Sequence, residues 1–316
     1  MRKLVALILS LMMLLGSVAA LAQTEEYTVY LITMDLMDQH WVNVDAGCKK
    51  AVAELAEKGI KVNYTWDAPT QGKNDAAQIE SINNAYANNA QAILLASNGP
   101  DTQVATIQQY QNEGVKFIYV DSPANTPALQ TLATNNTAAG KLAGETMLKK
   151  LTENGIKEGK IGIVNVNAAT TSTQQRESGF RAAFEGTAFE ILETQYGEGQ
   201  VAASQTIAEN YITEGVAGIF GCNEGSTTGT GNAIKEANAA VVGVGFDKSD
   251  AILQLVNEGA LLATMAQNPD VMGYEGMLSA VKVLQGEEIP EDMKNFDTGV
   301  TVVDKAYIEA NNLLAK

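Results

Sequence analysis

The chain has few of the residues that metal sites, disulfide scaffolds and nucleophilic triads require. Its 316 residues include two cysteines and one histidine. Cys48 and Cys222 have no neighbour at metal-ligand spacing, and a lone His40 argues against a histidine-based zinc site or a Ser-His-Asp triad. We therefore expect two free, mostly buried thiols, no bound metal, no cofactor and no catalytic residue.

Basic residues are also scarce. Twenty-one Lys and Arg against 37 Asp and Glu give a formal net charge of −16 at pH 7. Such a chain repels nucleic acid and anionic membrane surfaces, so we expect neither as a partner. The hydrophobic content of 46% still allows well-packed cores, which excludes a disordered chain.

One apolar run stands at the N-terminus. Arg2 and Lys3 precede an apolar stretch at residues 4–15, and the Ala20-Leu-Ala22 pattern follows it. A basic start, a short apolar run and a small-residue cleavage site are typical of a secretory signal peptide. The run is short for a permanent membrane span, and no cysteine follows it to carry a lipid. We predict that residues 1–22 are removed and that the mature protein is periplasmic or secreted.

Strand and helix patterns alternate through most of the chain. Short β-branched runs are separated by helical periods, which predicts βαβ units and a mostly parallel sheet. The alternation is broken near residue 134 and then restarts, without a low-complexity linker. A chain of this length usually forms two domains. We predict an α/β fold of two doubly wound lobes, closely joined, with a first helix over 42–58 and a tail helix over 270–285.

Three of the predicted strands end in a carboxylate or an amide. They are the strands that end at Asp121, Asn223 and Asp247, the last preceded by the aromatic Phe246. In open α/β sheets, ligands bind in the crevice outside the carboxyl ends of the strands. The pattern indicates a crevice lined with hydrogen-bonding groups for a small polar ligand.

Two further segments carry candidate ligand contacts. Residues 34–41 follow the first strand as a predicted loop and contain Asp38, His40 and Trp41. Trp41 suits the apolar face of a sugar ring, with Asp38 and His40 bonding to its hydroxyls, unless Trp41 only covers a lobe core. Arg176 follows a Thr/Ser-rich stretch and forms either a surface salt bridge or a fork that reaches into the cleft.

Nucleotide-binding and catalytic patterns fit poorly. The glycines at 225, 229 and 231 lack the dinucleotide-binding spacing, and no phosphate-binding P-loop occurs. Asp38, Asp121 and Asp247 could supply the carboxylate pair of a secreted glycosidase, but the sequence does not give their separation. Carboxylates at strand ends more often accept hydrogen bonds from ligand hydroxyls, so a binding protein is the favoured interpretation.

In combination, several short motifs resemble the periplasmic sugar-binding proteins of bacterial ABC importers, in the type I, ribose-binding-like family. The resemblance covers nearly the whole mature chain. The motifs are Ile93-Leu-Leu with Ser97-Asn98, Val120-Asp121, Ala133-Thr-Asn-Asn136 with Gly140, Arg176 with Gly179-Phe180, Phe220 with Asn223-Glu224, Val244-Gly-Phe-Asp247 and Ala263-Thr-Met-Ala-Gln267. A sugar-responsive transcription regulator shares this core, but it would carry a basic DNA-binding helix pair where the signal peptide stands.

The resemblance implies two Rossmann-like lobes that enclose a ligand by hinge closure, with chain crossings near 134, 267 and 296. The N-terminal lobe would comprise 23–134 plus 268–296, and the C-terminal lobe 135–267 plus 297–316. It implies capture of a monosaccharide or related polyol, delivery to an ABC-transporter permease, a chemoreceptor as a further partner, and a monomer. A cyclitol, a nucleoside and a furanosyl signalling molecule stay open as ligands.

The resemblance also implies roles for individual residues. Family ligand-binding positions are matched by Asp121, Arg176, Asn223, Asp247 and Gln267, and a stacking position by Phe246. Asp38 and Ser97 stand at positions where the family often has asparagine, and His40 and Trp41 where it often has two aromatics. Ser122 replaces the arginine that follows the aspartate in ribose binders, which argues against ribose itself.

Overall fold

The structure, a computed structural model, describes residues 25–70 and 72–314. The signal peptide predicted for residues 1–22 therefore lies outside the described residues. Within the described ranges, no helix is long and apolar enough to cross a membrane.

The first lobe is a six-stranded sheet covered by helices on both faces. Its strands run in the order β12-β5-β4-β3-β1-β2, and every pair is parallel. These elements are β1 (Glu25–Ile32), α1 (Gln39–Glu57), β2 (Ile60–Asp67), α2 (Asp75–Ala87), β3 (Ala92–Leu95), α3 (Val104–Asn112), β4 (Lys116–Val120), β5 (Gln130–Ala133), α9 (Pro269–Leu284), a 3₁₀ turn (Glu291–Met293) and β12 (Asn295–Asp297). One apolar cluster lies under α1 and α9 and another under α2 and α3.

The second lobe repeats this plan with seven strands. Their order is β13-β11-β10-β9-β6-β7, with the short β8 also paired to β6. Its elements are α4 (Asn136–Glu153), β6 (Glu158–Asn165), α5 (Thr171–Ala183), β7 (Ala188–Ile191), β8 (Gln195–Tyr196), α6 (Val201–Thr213), β9 (Gly218–Gly221), α7 (Glu224–Ala237), β10 (Val242–Phe246), α8 (Asp250–Glu258), β11 (Ala263–Gln267), β13 (Val300–Asp304) and α10 (Lys305–Ala310). Only the edge strand β13 is antiparallel to its neighbour among the described pairs.

The central strands of both sheets are buried on two faces, which explains their continuous apolar sequence. All of β3 and all of β10 are buried. A strand that faced water on one side would alternate polar and apolar residues instead. The fold class predicted from the sequence, two doubly wound α/β lobes, is confirmed.

In each lobe, one pair of helices packs in backbone contact at glycine. A Cβ added to Gly273 on α9 would lie 1.9 Å from the Val44 carbonyl oxygen of α1. A Cβ added to Gly140 on α4 would lie 2.0 Å from the Arg176 carbonyl oxygen of α5. Only glycine permits such an approach. The α4–α5 contact thereby fixes the backbone from which Arg176 projects.

Within the described residues, the chain passes between the two lobes three times: after β5, after β11 and between β12 and β13. These crossings are hydrogen-bonded to one another. Thr134 Oγ1 donates to the Gly299 carbonyl at 3.2 Å, and Asn268 Nδ2 donates to the Thr298 carbonyl at 2.7 Å. The hinge is therefore one joined ribbon and not three independent linkers.

The main difference from the sequence prediction is where the first helix begins. It starts at Gln39 and not near residue 42, so His40 and Trp41 lie in its first turn and not in a loop. The apolar period that defines the helix starts only later, which is why the pattern missed the first turn. Cys48 and Cys222 are both buried and free, as predicted.

Candidate functional site

A cavity lies between the two lobes. Its wall consists of Met34, Asp38, His40, Trp41, Lys73, Asp121, Val166, Thr170, Ser172, Thr173, Arg176, Asn223, Asp247 and Gln267. The cavity has a volume of about 20 Å³, which is close to the minimum for one water molecule. A larger ligand enters only when the lobes separate, and the wall must then move outward to enclose it.

Two carboxylates end equivalent strands of the two sheets. Asp121 follows β4 in the first lobe, and Asp247 follows β10 in the second. Both are buried and both have a left-handed backbone, with φ of 66° and 74°. Non-glycine residues rarely adopt this conformation, and those that do cluster at functional sites. Each chain thus turns sharply at its strand end, where its carboxylate enters the cavity wall.

His40 lies between these two carboxylates. Its Nε2 is 3.4 Å from Asp121 Oδ2, and its Nδ1 is 3.5 Å from Asp247 Oδ1. Burial lowers the pKa of His40, but the two carboxylates outweigh burial and raise the pKa above its ordinary value. In return, His40 and Arg176 outweigh burial at Asp121 and lower the pKa of that carboxyl. His40 is therefore held between one carboxylate of its own lobe and one of the opposite lobe, and both favour its charged form.

Arg176 is held rigidly from three sides. Its Nε donates to Asn136 Oδ1 at 2.8 Å, and its Nη1 donates to the Cys222 carbonyl at 3.0 Å. The guanidinium carbon lies 3.9 Å from the centre of the Phe246 ring. The remaining nitrogen, Nη2, is 3.8 Å from Asp121 Oδ2 and has no hydrogen-bond partner. Two positions were predicted for Arg176, a surface salt bridge and a fork that reaches into the cleft, and the structure has the second.

Eight of the ten predicted site residues line the cavity; Phe246 and Ser97 do not. Phe246 is fully buried and its ring lies against Arg176, so the aromatic face predicted to stack on a ligand is already occupied by the guanidinium. Ser97 is buried behind the wall, where its Oγ donates to Gln103 Oε1 at 2.7 Å. Trp41 both lines the cavity and belongs to the first-lobe core.

Lys73 is a wall residue that the sequence interpretation missed. Its Nζ donates to Asp35 Oδ2 at 2.6 Å and to Asp38 Oδ2 at 3.0 Å, and its side chain is buried. Burial lowers the pKa of Lys73, but the two carboxylates outweigh it and raise the pKa, so the amine is charged. The strand order could have indicated this pairing. Because β1 and β2 are neighbours in the sheet, the segment after β1, which carries Asp35 and Asp38, lies beside the segment after β2, which carries Lys73.

Hydroxyls from the second lobe complete the wall and touch the first lobe. Ser172 Oγ accepts a hydrogen bond from Ser122 Oγ at 2.6 Å, and Thr170 Oγ1 donates to the Asn98 carbonyl at 3.4 Å. Ser122, which replaces the arginine of ribose binders, thus bonds across the cleft. The sequence interpretation mentioned the Thr/Ser-rich stretch only because it precedes Arg176, and it did not predict that its hydroxyls line the cavity.

The cavity gathers buried polar atoms that lack hydrogen-bond partners. Among the described residues these include His40 Nε2, Trp41 Nε1, Arg176 Nη2 and Gln267 Oε1, all from wall residues. Buried polar groups in folded proteins are nearly always paired. Their concentration here is typical of a site whose hydrogen bonds are completed by a ligand that both donates and accepts. No group of three or more metal-binding side chains occurs in the described ranges.

Two doubly wound lobes that close over a cavity of convergent polar groups define a two-lobed binding protein. The comparison with protein families agrees, because the periplasmic binding protein domain matches residues 29–288. The chain therefore belongs to the periplasmic binding protein family.

Its relatives cover the same length. The ribose import binding protein RbsB of Haemophilus influenzae is 27% identical over 302 residues, covering 93% of this chain and 99% of that protein. An ABC transporter solute-binding protein from Agrobacterium vitis, solved with bound D-fucose, is 30% identical with a TM-score of 0.82, covering 90% and 99% of the two chains. A carbohydrate-transporter solute-binding protein from Agrobacterium radiobacter, solved with D-arabinose, is 27% identical with a TM-score of 0.82, covering 94% and 99%.

Proposed function

We propose that this protein captures a neutral monosaccharide or related polyol between its lobes and delivers it to the permease of an ABC importer. The observation that carries the proposal is the set of unpartnered buried polar atoms around the cavity. They include donors and an acceptor, and every hydroxyl of a polyol can both donate and accept. Ionised partners such as Arg176 make the stronger bonds to such hydroxyls.

The charges of the wall favour a neutral ligand. Among the described wall residues, the carboxylates are Asp38, Asp121 and Asp247, and they face Lys73, Arg176 and His40. Each of these ionisable side chains already contacts one of opposite sign, and Lys73 also binds Asp35 behind the wall. A charged ligand would leave one buried charge without a counter-charge, which is costly in a dry site. The names of the similar proteins, which mention ribose, allose, fucose and arabinose, support the same class.

We further propose that the protein binds its ligand without converting it, and that it is exported. The family consists of solute-binding proteins, which supports the first point, and the predicted signal peptide supports the second. The proposed lobe boundaries, 23–134 plus 268–296 and 135–267 plus 297–316, are supported by the pairing of β12 with the first sheet and of β13 with the second.

Thermal unfolding against a panel of neutral ligands tests the proposal. The mature protein is unfolded, dialysed, refolded and melted with pentoses, hexoses, 6-deoxyhexoses, inositols and nucleosides. A ligand at 100 times its dissociation constant stabilises the folded state by about 2.7 kcal/mol, which moves the midpoint of a chain this long by several degrees. The bound compound should also be recovered unchanged from denatured protein.

The control separates the cavity from general effects on stability. Asp247→Ala should abolish the ligand-dependent shift, whereas Asp292→Ala, a change of an exposed carboxylate away from the cavity, should leave it intact. One sugar that shifts the midpoint while its epimers do not supports the proposal. No shift from any compound of the panel would contradict it, and recovery of a cleaved product would favour the glycosidase alternative.

A further inference from the structure

The first turn of α1 is capped from the opposite lobe. Its own N-cap residue, Asp38, makes no side-chain hydrogen bond to the helix in the described structure, because its carboxylate binds Lys73. Instead, Glu224 at the start of α7 accepts from two backbone N–H groups. Gln39 N donates to Oε1 at 2.9 Å, and His40 N donates to Oε2 at 3.0 Å. A carboxylate of the second lobe thus does what an N-cap side chain normally does.

A second cap runs in the reverse direction. Gln39 Oε1 accepts from the backbone N–H of Asp250, the first residue of α8, at 3.0 Å. Helix α8 already has a local cap, since Ser249 Oγ accepts from Ile252 N at 3.3 Å. The Gln39 contact therefore satisfies a further free N–H of that helix. Each lobe supplies an acceptor for the helix N-terminus of the other.

We propose that Glu224 is a positioning residue of the sugar site, which holds the first turn of α1 in its binding geometry only when the lobes are together. That turn carries Asp38, His40 and Trp41, which all line the cavity. The identity of the ligand as a sugar rests on the proposed function. The contact of Glu224 with the first turn of α1 is observed independently of it. When the lobes part, the Gln39 and His40 N–H groups turn to water, and the cap of α1 is lost.

The charges around Glu224 make its contribution depend on pH. Burial first, and then the carboxylates of Asp38 and Asp247, raise the pKa of Glu224 from 4.5 to about 7, although the two N–H groups favour its charged form. The other charged groups nearby are Lys73, bound to Asp38, and His40 on the capped turn. Because the raised pKa belongs to the closed form, closure takes up a proton at Glu224, and His40, whose pKa is raised by Asp121 and by Asp247 of the opposite lobe, adds to that uptake. Ligand affinity should therefore fall as the pH rises from about 4.5 through about 7, with Glu224 responsible for the part below about 7.

Closure can be measured without a ligand by cross-linking across the cleft. Met37 in the first lobe and Val201 in the second are exposed and border the same groove. Both are changed to cysteine (Met37→Cys, Val201→Cys) and treated with a short bis-maleimide, whose cross-linking rate follows the closed fraction. Cys48 and Cys222 stay in place because both are fully buried. Glu224→Ala and Glu224→Gln are then compared with Glu236→Ala, an exposed glutamate on the same helix.

Loss of an N-cap corresponds to an about 2- to 30-fold change in an equilibrium. Below about pH 7, where the closed form favours a neutral Glu224, we expect Glu224→Ala to slow cross-linking by a factor in that range and Glu236→Ala to leave it unchanged. Glu224→Gln should slow cross-linking less than Glu224→Ala, because one amide oxygen can still accept and no charge is buried. Sugar affinity should fall by the same factor, since the liganded closed form makes the same contact. The Glu224→Gln variant should also lose the Glu224 part of the pH dependence, which lies between about 4.5 and 7, and keep the part due to His40, while its unliganded melting temperature stays within about a degree.

The two proposals fail separately. A wild-type protein that binds no compound of the panel contradicts the sugar proposal, and the ligand-free cross-linking rates still decide the role of Glu224. Equal rates for wild type and Glu224→Ala would overturn that role, whatever the ligand. Equal slowing by Glu224→Ala and Glu236→Ala would overturn it as well, because the effect would then be one of helix charge and not of the cap.

Discussion

Asp121 and Asp247 approach one imidazole from opposite lobes, at 3.4 Å from His40 Nε2 and 3.5 Å from His40 Nδ1. The two aspartates end equivalent strands and share the same left-handed backbone conformation. Each lobe thus contributes one aspartate carboxylate to the cleft, and the imidazole of His40, from the first lobe, lies between the two. The contacts are longer than good hydrogen bonds, so the imidazole is held mainly by charge.

This arrangement predicts a pH-dependent stability. Because the pKa of His40 is raised in the folded protein above 6.5, its stabilising contribution is complete below that value and is lost as the pH rises through the folded value. We expect the difference in melting temperature between wild type and His40→Asn to be largest near pH 5.5 and to shrink as the pH rises above 6.5. Thermal unfolding across this range measures it, and a constant difference at every pH would contradict the prediction.

Arg176 offers a prediction for ligand affinity. Arg176→Ala removes the counter-charge of a buried Asp121, and losing one partner of such a pair costs about 2–5 kcal/mol, or about 30-fold or more in affinity. Arg176→Lys should recover only part of this, since an ammonium cannot both stack on Phe246 and reach the Cys222 carbonyl. Calorimetric titration with the identified sugar measures both variants.

The matched control for this prediction is Arg181→Lys on the same helix. Arg181 bonds to Glu177 and Thr194 away from the cavity, so the change should alter affinity by less than about twofold. Similar losses for Arg176→Lys and Arg181→Lys would show that α5 as a whole, and not the guanidinium in the wall, determines binding.

Lys73 predicts a large effect on folding stability. Lys73→Met leaves Asp35 and Asp38 without their buried counter-charge, which should lower the free energy of unfolding by about 3 kcal/mol. Lys61→Met is the control: its ammonium lies 2.8 Å from a carboxylate, that of Glu26, and the two side chains are 56% and 51% exposed, so the loss should stay below about 1 kcal/mol. Urea unfolding of both variants measures the difference. Equal losses would mean that burial does not determine the strength of the Lys73 pairs.

The contact between α1 and α9 predicts that Gly273 cannot be replaced. In Gly273→Ala the new methyl group would meet a backbone carbonyl that cannot move alone, and overpacking of this kind should cost about 3 kcal/mol or more. Gly59→Ala provides the comparison, since nothing lies within 4 Å of its Cβ position and only its φ of +80° is strained, at about 1–2 kcal/mol. If the two variants unfold at the same urea concentration, the backbone contact is not as tight as described.

Much of the site follows from strand order and residue type. Asp121, Asn223 and Asp247 could be placed at the cavity because the carboxyl ends of parallel strands meet at one edge of a sheet. The role of Phe246 could not be read in the same way. It is the last residue of β10, and its fully buried ring packs against the Arg176 guanidinium, whereas Asp247 lies beyond the strand in a left-handed turn that brings its carboxylate to the cavity.

The contacts across the cleft lie beyond sequence reasoning for a different reason. Glu224 caps a helix that begins 185 residues earlier in the chain, and only the closed arrangement of the lobes brings the two together. The pairing of Lys73 with Asp38 depends on the path of a loop, which no periodic pattern describes. The sequence gives no sign of the left-handed turns at Asp121 and Asp247, since aspartate is also common in ordinary backbone conformations.

The hydrogen bonds that join the three chain crossings limit how the protein can move. Because Thr134 and Asn268 tie the crossings to one another, the three segments must bend together and not independently. Fewer arrangements of the open lobes are then available, so part of the ordering that closure requires is already present in the folded chain before a ligand is captured.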